Sequence, residues 1–229
     1  MLNAPDGLGG RPLEPLGSRC EPDGIRGNPS LPTVRSALKL PDHPLSDKTT
    51  LRRHLRRQRS ALSLHERARA EWLAAQQARG SLRPGKRIAA YIPVGSEFSP
   101  WPLIMLALQR GAQVYLPQVP LRGRRMRFVR LDADTRWGSG PHGIPEPENG
   151  KECPPRLLDT VFLPLVGFDD SGARLGQGGG YYDTTFAFRR PRRHWKKPRL
   201  IGLGFACQRV VGLTIDPWDV RLDGVLTGE

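Results

Sequence analysis

Thr160-Val-Phe-Leu-Pro-Leu-Val166 runs straight into Gly167-Phe-Asp-Asp-Ser-Gly-Ala-Arg-Leu-Gly-Gln-Gly-Gly-Gly-Tyr-Tyr-Asp183. The first part is a short apolar run that reads as a buried strand. The last ten residues, Arg174 to Asp183, gather four glycines, an arginine, two tyrosines and a carboxylate. Glycine tolerates positive φ and lets the backbone come within hydrogen-bond distance of a ligand. Successive backbone N–H groups can then form an anion-binding concavity. Arg174 adds a fixed fork of donors suited to phosphate oxygens, and Asp183 adds a hard oxygen ligand for magnesium. The segment therefore reads as a loop that wraps a phosphate. Gly176-Gln-Gly178-Gly-Gly180 lacks the spacing of the dinucleotide fingerprint, and no Gly-Lys-Ser/Thr follows it as a P-loop requires. A surface turn would account for the glycines, but not for the arginine, tyrosines and aspartate beside them.

Outward from this loop, strand and helix patterns alternate. Arg87–Ile92, Gln113–Leu116, Met126–Leu131, Leu200–Phe205 and Gly224–Thr227 read as strands. Trp101 to Arg110 reads as a helix stopped by Gly111. Nearer the N-terminus, Ser46-Asp47 can cap a helix carrying Leu51 and Leu55. Ser63 followed by Glu66 is a capping-box signature for a second helix ending at Gly80. Such alternation predicts an α/β layered domain with a largely parallel sheet. In such sheets ligands bind beyond the carboxyl ends of the strands, which is where a loop after Val166 lies.

The chain of 229 residues is long enough for one sizeable domain over about 46–229. Residues 1–45 are about one-third Gly plus Pro with few large apolar side chains. Such a segment cannot offset its ordering entropy, so a disordered extension is expected there. No apolar run approaches the roughly 18 residues needed to span a bilayer, and the N-terminus does not have the pattern of a secretory signal. Cys20, Cys153 and Cys207 are odd in number and far apart. They suit a reducing cytoplasm and fit neither a disulfide framework nor a zinc site. The formal net charge is +14, which is compatible with nucleic acid, with small anionic ligands, or with an arginine-rich composition of no specific meaning. The excess falls in 52–59, 122–130 and 189–199 without interleaved aromatics, so no specific nucleic-acid partner is expected.

Several further segments can join the loop. Lys48 and Arg52 are four residues apart and share a helical face. Glu97 follows Tyr91-Ile-Pro-Val-Gly-Ser in a loop just past a strand, Gly143-Ile-Pro-Glu-Pro147 reads as a rigid turn, and Asp216-Pro-Trp-Asp219 and Asp223 offer more carboxylates. Taken singly, each could be an ordinary surface group or cap. Together with Leu163-Pro-Leu-Val-Gly-Phe-Asp169, Gly204-Phe-x-x-Gln208 and Asp219-x-x-x-Asp223-x-x-x-Thr227, they resemble the 5-formyltetrahydrofolate cyclo-ligase (methenyltetrahydrofolate synthetase) family over about 46–229.

The resemblance implies a three-layer sandwich similar to the sugar-phosphate isomerase and CoA-transferase folds. It also implies a monomeric, cytoplasmic enzyme with no membrane partner, which uses ATP and Mg2+ to close 5-formyltetrahydrofolate into 5,10-methenyltetrahydrofolate. In that chemistry the γ-phosphoryl group is transferred to the formyl oxygen. The neighbouring amine then attacks, and phosphate departs. Positioning and charge stabilisation suffice for phosphoryl transfer, in keeping with the lack of any convincing Cys/His or Ser/His pair.

By the same matching, Lys48 and Arg52 clamp the ATP phosphates. Arg174, Leu175, Gly176, Gln177, Gly178, Gly179 and Gly180 cradle the transferring group, with Arg174 as the catalytic cation. Asp183 and Asp223 bind magnesium, Glu97 and Ile92 hold the pterin, and Tyr181 and Tyr182 contact nucleotide or folate. The chain departs from the family pattern at His142, Thr184 and Trp218. The arginine-rich segment 189–199 is expected to be a solvated insertion. Two other readings remain: an ATP-independent relative of the isomerases and transferases, and a basic nucleic-acid-binding protein.

Overall fold

The computed structural model describes residues 47–191 and 197–229. The expected extension over 1–45, with Ser46 and Cys20, lies outside the described residues, as does 192–196 of the arginine-rich segment. Helix α1 spans Lys48–Ala61, and the Asp47 carboxylate accepts the Thr49 and Thr50 amides at its start. Helix α2 spans Leu64–Ala78 and opens with the expected capping box between Ser63 and Glu66. Helix α3 spans Trp101–Gln109, with a proline in its first turn where no backbone donor is needed.

Ten strands follow in chain order. They are β1 (Arg87–Ala89), β2 (Gln113–Gln118), β3 (Arg127–Arg130), β4 (Trp137–Ser139), β5 (Pro145–Pro147), β6 (Thr160–Pro164), β7 (Gly167–Phe168), β8 (Arg174–Leu175), β9 (Arg199–Leu203) and β10 (Gly224–Leu226). Six of them make one sheet in the order β10-β9-β6-β1-β2-β3. Every neighbouring pair is parallel except β2 and β3. The largely parallel α/β sheet is therefore present, with β6 near its centre.

Period-2 alternation sends successive residues to opposite faces. Phe162 joins Ile88, Val114, Leu116 and Ile201 beneath α2 and α3, which contribute Ala74, Ala78, Ile104 and Ala107. Val161 and Leu163 face the other way with Tyr115, Phe128, Phe168 and Phe186. That second face is covered mainly by irregular chain and by helix α4 (Tyr181–Thr185) with the 3-10 turn after it. Helix α1 joins neither cluster. Its Leu51 and Leu55 pack on Val166, Leu175 and Val210, at the mouth of the glycine loop.

Two expectations are refined. Only Arg87–Ala89 of the 87–92 run is strand; the Ala90 amide still donates to the Tyr115 carbonyl, and beyond it Tyr91 donates its hydroxyl to the Phe98 carbonyl. Residues 145–147, read as part of a turn, form β5 against β4 in a separate two-stranded ribbon. Prolines are tolerated on such an edge because no central ladder needs their missing N–H.

Candidate active site

A cleft of about 730 Å³ opens beyond the carboxyl ends of β1, β2 and β6, lined there by Tyr91, Ile92, Pro117 and Pro164. Helix α1 delivers Lys48 and Arg52 to one wall. Lys48 Nζ lies 2.5 Å from Asp216 Oδ2 and 4.0 Å from Asp219 Oδ2. Arg52 Nε donates to the Gly176 carbonyl at 2.8 Å, which fastens the glycine loop to the helix. Gly178 and Gly180 have φ of +108° and +68°, left-handed conformations that other residues rarely adopt. Glycine at these two positions is thus a backbone requirement.

Strand β8 places Arg174 at the floor with only 6% of its side chain exposed. Its terminal nitrogen is 2.6 Å from Asp183 Oδ1, which also accepts the Val220 amide at 3.0 Å. The Arg174 Nε is buried with no hydrogen-bond partner among the described residues. An orphaned, buried, positively charged donor beside the loop is what an arriving phosphate oxygen would satisfy.

Opposite stands Glu97, 8% exposed. Its Oε2 accepts the Val94 amide at 3.1 Å and its Oε1 accepts the Gln177 carboxamide at 2.7 Å. Tyr182 is half-buried, and desolvation, reinforced by the Glu97 charge, pushes its phenol up. Tyr181 pairs with His142, hydroxyl to Nε2 at 2.8 Å with the rings edge-on at 5.5 Å.

Lys48, Arg52, Ile92, Glu97, Arg174, Leu175, Gly176 to Gly180, Tyr181, Tyr182 and Asp183 are therefore brought to one cleft. Asp223 is not. Its two oxygens accept from a single Arg189 nitrogen at 2.9 and 2.8 Å, and its Oδ2 also accepts the Leu200 amide at 2.7 Å. It borders a separate hollow with Asp169 and Arg209. The expectation that Asp223 shares magnesium with Asp183 is corrected accordingly: its lone pairs are committed to a neighbouring cation and amide. The same pair corrects, at Arg189 alone, the reading of 189–199 as a solvated insertion, since the Arg189 side chain is 6% exposed.

Sequence reasoning passed over Arg124, Arg190 and Glu146, and gave Asp216 and Asp219 no specific place, yet all five line the cleft. Burial pushes the Glu146 carboxyl up, while the Val119 amide bound to it acts in the opposite direction. The only signal for Arg124 was the basic run around it, and nothing local distinguished Glu146 from an exposed turn acid.

Other motif residues are structural. Gln208, 1% exposed, donates to the Leu165 and Val166 carbonyls and accepts the Phe205 amide, so it closes the end of the β6 run. Asp169 holds the turn between β7 and β8 through Ser171, Ala173 and Leu213. Among the described residues no group of three or more His, Cys, Asp and Glu is placed to hold a metal. Magnesium that travels with a nucleotide usually needs only one or two carboxylates, the phosphates and water supplying the rest. Asp183 beside the loop fits that requirement.

The model of the 5-formyltetrahydrofolate cyclo-ligase family matches residues 44–228. A 5-formyltetrahydrofolate cyclo-ligase of Haemophilus influenzae is 34% identical over 185 residues, covering 78% of this chain and 96% of the relative. The mouse protein of the same name is 31% identical over 79% of this chain and 93% of the relative. Among solved structures, a 5,10-methenyltetrahydrofolate synthetase from Aquifex aeolicus superposes with a TM-score of 0.65 at 29% identity, over 80% of this chain and 90% of that one. One from Mycoplasma pneumoniae gives 0.62 at 25% identity, over 80% and 99%.

Proposed function

The chain belongs to the 5-formyltetrahydrofolate cyclo-ligase family, and from that premise we propose that its cleft converts 5-formyltetrahydrofolate to 5,10-methenyltetrahydrofolate at the expense of ATP, with magnesium. The observation that carries this reading is the meeting, in one cleft of about 730 Å³, of five cations (Lys48, Arg52, Arg124, Arg174 and Arg190) and a glycine loop with a buried carboxylate. One part is built for phosphate oxygens and the other for a hydrogen-bonding heterocycle.

A formamide carbonyl is a poor electrophile and its oxygen a poor leaving group. Transfer of the γ-phosphoryl group to that oxygen, with release of ADP, converts it into a phosphate ester that can leave. The neighbouring folate nitrogen then attacks the formyl carbon, the carbon–oxygen bond breaks, and phosphate departs with the ring closed. Both partners of the second step sit in one bound molecule, so orientation supplies much of the acceleration.

Lys48 and Arg52 would bind the phosphates from α1, and Lys48 would exchange Asp216 for a phosphate oxygen as it does so. Arg174, already buried and short of one partner, would face the transferring group, where charge spreads in the transition state. Tyr181 and Tyr182, which also line the cleft, would contact nucleotide or folate. Glu97 would take the amine and ring N–H of the pterin edge, with Ile92 against its face. Magnesium, when bound with the nucleotide, neutralises charge on the phosphate oxygens, and Asp183 is the residue that would hold it.

A monomer working in the cytoplasm is part of the same proposal. No helix among the described residues is long and apolar enough to cross a membrane. The test is the near-ultraviolet absorbance of the methenyl product, with 5-formyltetrahydrofolate and magnesium present and ATP added or withheld. The expected result is a rise that requires ATP. A rise independent of ATP, or none from folded protein, overturns the reading.

A further inference from the structure

Gln177 has a side chain out of keeping with its loop. It is exposed at the tip, between Gly176 and Gly178, yet its carboxamide reaches inward to the buried Glu97. Its Nε2 donates to Glu97 Oε1 at 2.7 Å, and its Oε1 accepts from Arg56 on α1. The other Glu97 oxygen is held by the Val94 amide within its own loop. Of the two donors on this carboxylate, one is fixed backbone and the other is a side chain at the end of an exposed glycine-flanked segment.

A carboxamide NH2 and the amine edge of a pteridine are the same kind of donor. On the reading that Glu97 receives the folate ring, the Gln177 amide holds the position that the ring must take. The residue that blocks one substrate is covalently part of the loop that serves the other. Gly176 is tied to Arg52 and Gln177 to Arg56, so both neighbouring turns of α1 sense where this loop sits.

We propose that Gln177 is a positioning residue that couples the two substrates: folate displaces its side chain from Glu97, and the released loop is then free to settle on the nucleotide phosphates. The coupling is reciprocal, since whatever factor folate contributes to nucleotide binding, nucleotide must return to folate. Competition for the carboxylate weakens folate binding to the free enzyme. Loss of the competitor should tighten it.

The experiment measures dissociation constants for 5-formyltetrahydrofolate by calorimetry, alone and with a saturating non-hydrolysable ATP analogue and magnesium. Wild-type protein is compared with Gln177→Ala and Gln177→Leu, the latter keeping bulk without a donor. One hydrogen bond to a carboxylate corresponds to about a 10- to 100-fold change. Both variants should bind folate alone tighter by that factor, and the tightening produced by the analogue should fall towards none. Thermal midpoints should stay at the wild-type value, since the side chain is exposed.

Folate binding no tighter in either variant, or an unchanged effect of the analogue, overturns the coupling. Absence of folate binding in the wild-type protein has a different signature, because it overturns the folate reading of Glu97 on which the gate rests.

Discussion

Replacing Asp223 with alanine separates a structural carboxylate from a metal ligand. Asp223 and Arg189 have side-chain exposures of 14% and 6%, so little solvent screens the pair. The aspartate takes one Arg189 nitrogen on both oxygens and the Leu200 amide on one. Arg189 Nε and a second guanidinium nitrogen are already buried with no hydrogen-bond partner among the described residues. Alanine would leave a buried guanidinium without this carboxylate, and it would orphan an amide at the start of β9. Removing one partner of a buried pair costs about 3–5 kcal/mol. For a domain of this size each kcal/mol lowers the melting temperature by roughly 2–4 °C, so a fall of about 6–20 °C is expected. Circular dichroism melts with and without magnesium would measure it. The double variant Arg189→Met with Asp223→Ala should recover much of the loss, since the unpaired charge leaves with the arginine. A single variant that melts within about 2 °C of wild type, while its turnover needs far more magnesium, would refute the argument and return Asp223 to the metal.

Asp183→Asn should fold, because the amide oxygen can still accept from Arg174 and Val220. Turnover should nonetheless fall on the order of 100-fold as a charge beside the transferring phosphate disappears; steady-state rates within a few-fold of wild type would remove Asp183 from the chemistry. Asp169 carries a pH prediction. Burial pushes its carboxyl up, but hydrogen bonds from Ser171, Leu213 and Ala173 outweigh burial and hold it below its ordinary value. Its contribution to stability is therefore complete above the unfolded value of about 4 and is lost as pH falls through the folded one. Urea midpoints measured from pH 5 down to pH 3 should decline less steeply in Asp169→Asn than in wild type, and parallel declines would contradict the assignment.

The fold was legible wherever local chemistry and burial agreed. Asp47 and Ser63 cap helices because each can satisfy free amides from its own position, with no help from the rest of the chain. The strand at Thr160–Pro164 is apolar on both faces because two cores meet on it, and such a run is visible in any single sequence. What escaped depended on remote partners. Helix α4 is too short to carry a periodic signal and is set by Gly180 before it and by Phe186 buried after it. Strand β5 consists of two prolines around Glu146, a composition that argues against a strand until β4 is placed beside it.

The candidate site divides along the same line. Gly178 and Gly180 could be read because their positive φ values are demanded locally, and Arg174 and Asp183 because they share a segment with them. Asp223 shows the limit: its motif begins with Asp219, which lines the cleft, yet the residue that claims Asp223, Arg189, is thirty-four positions away in sequence. A carboxylate in a list of motifs has no partner until the chain folds, and the first cation to reach it decides what it does. Lys48 is held by Asp216, Arg174 by Asp183 and Asp223 by Arg189. Only the first two pairs face the cleft, and so only they can exchange a protein partner for a phosphate or a metal. Pairing within the cleft keeps the cations ordered before substrate arrives, and burial outside it turns the same chemistry into scaffold.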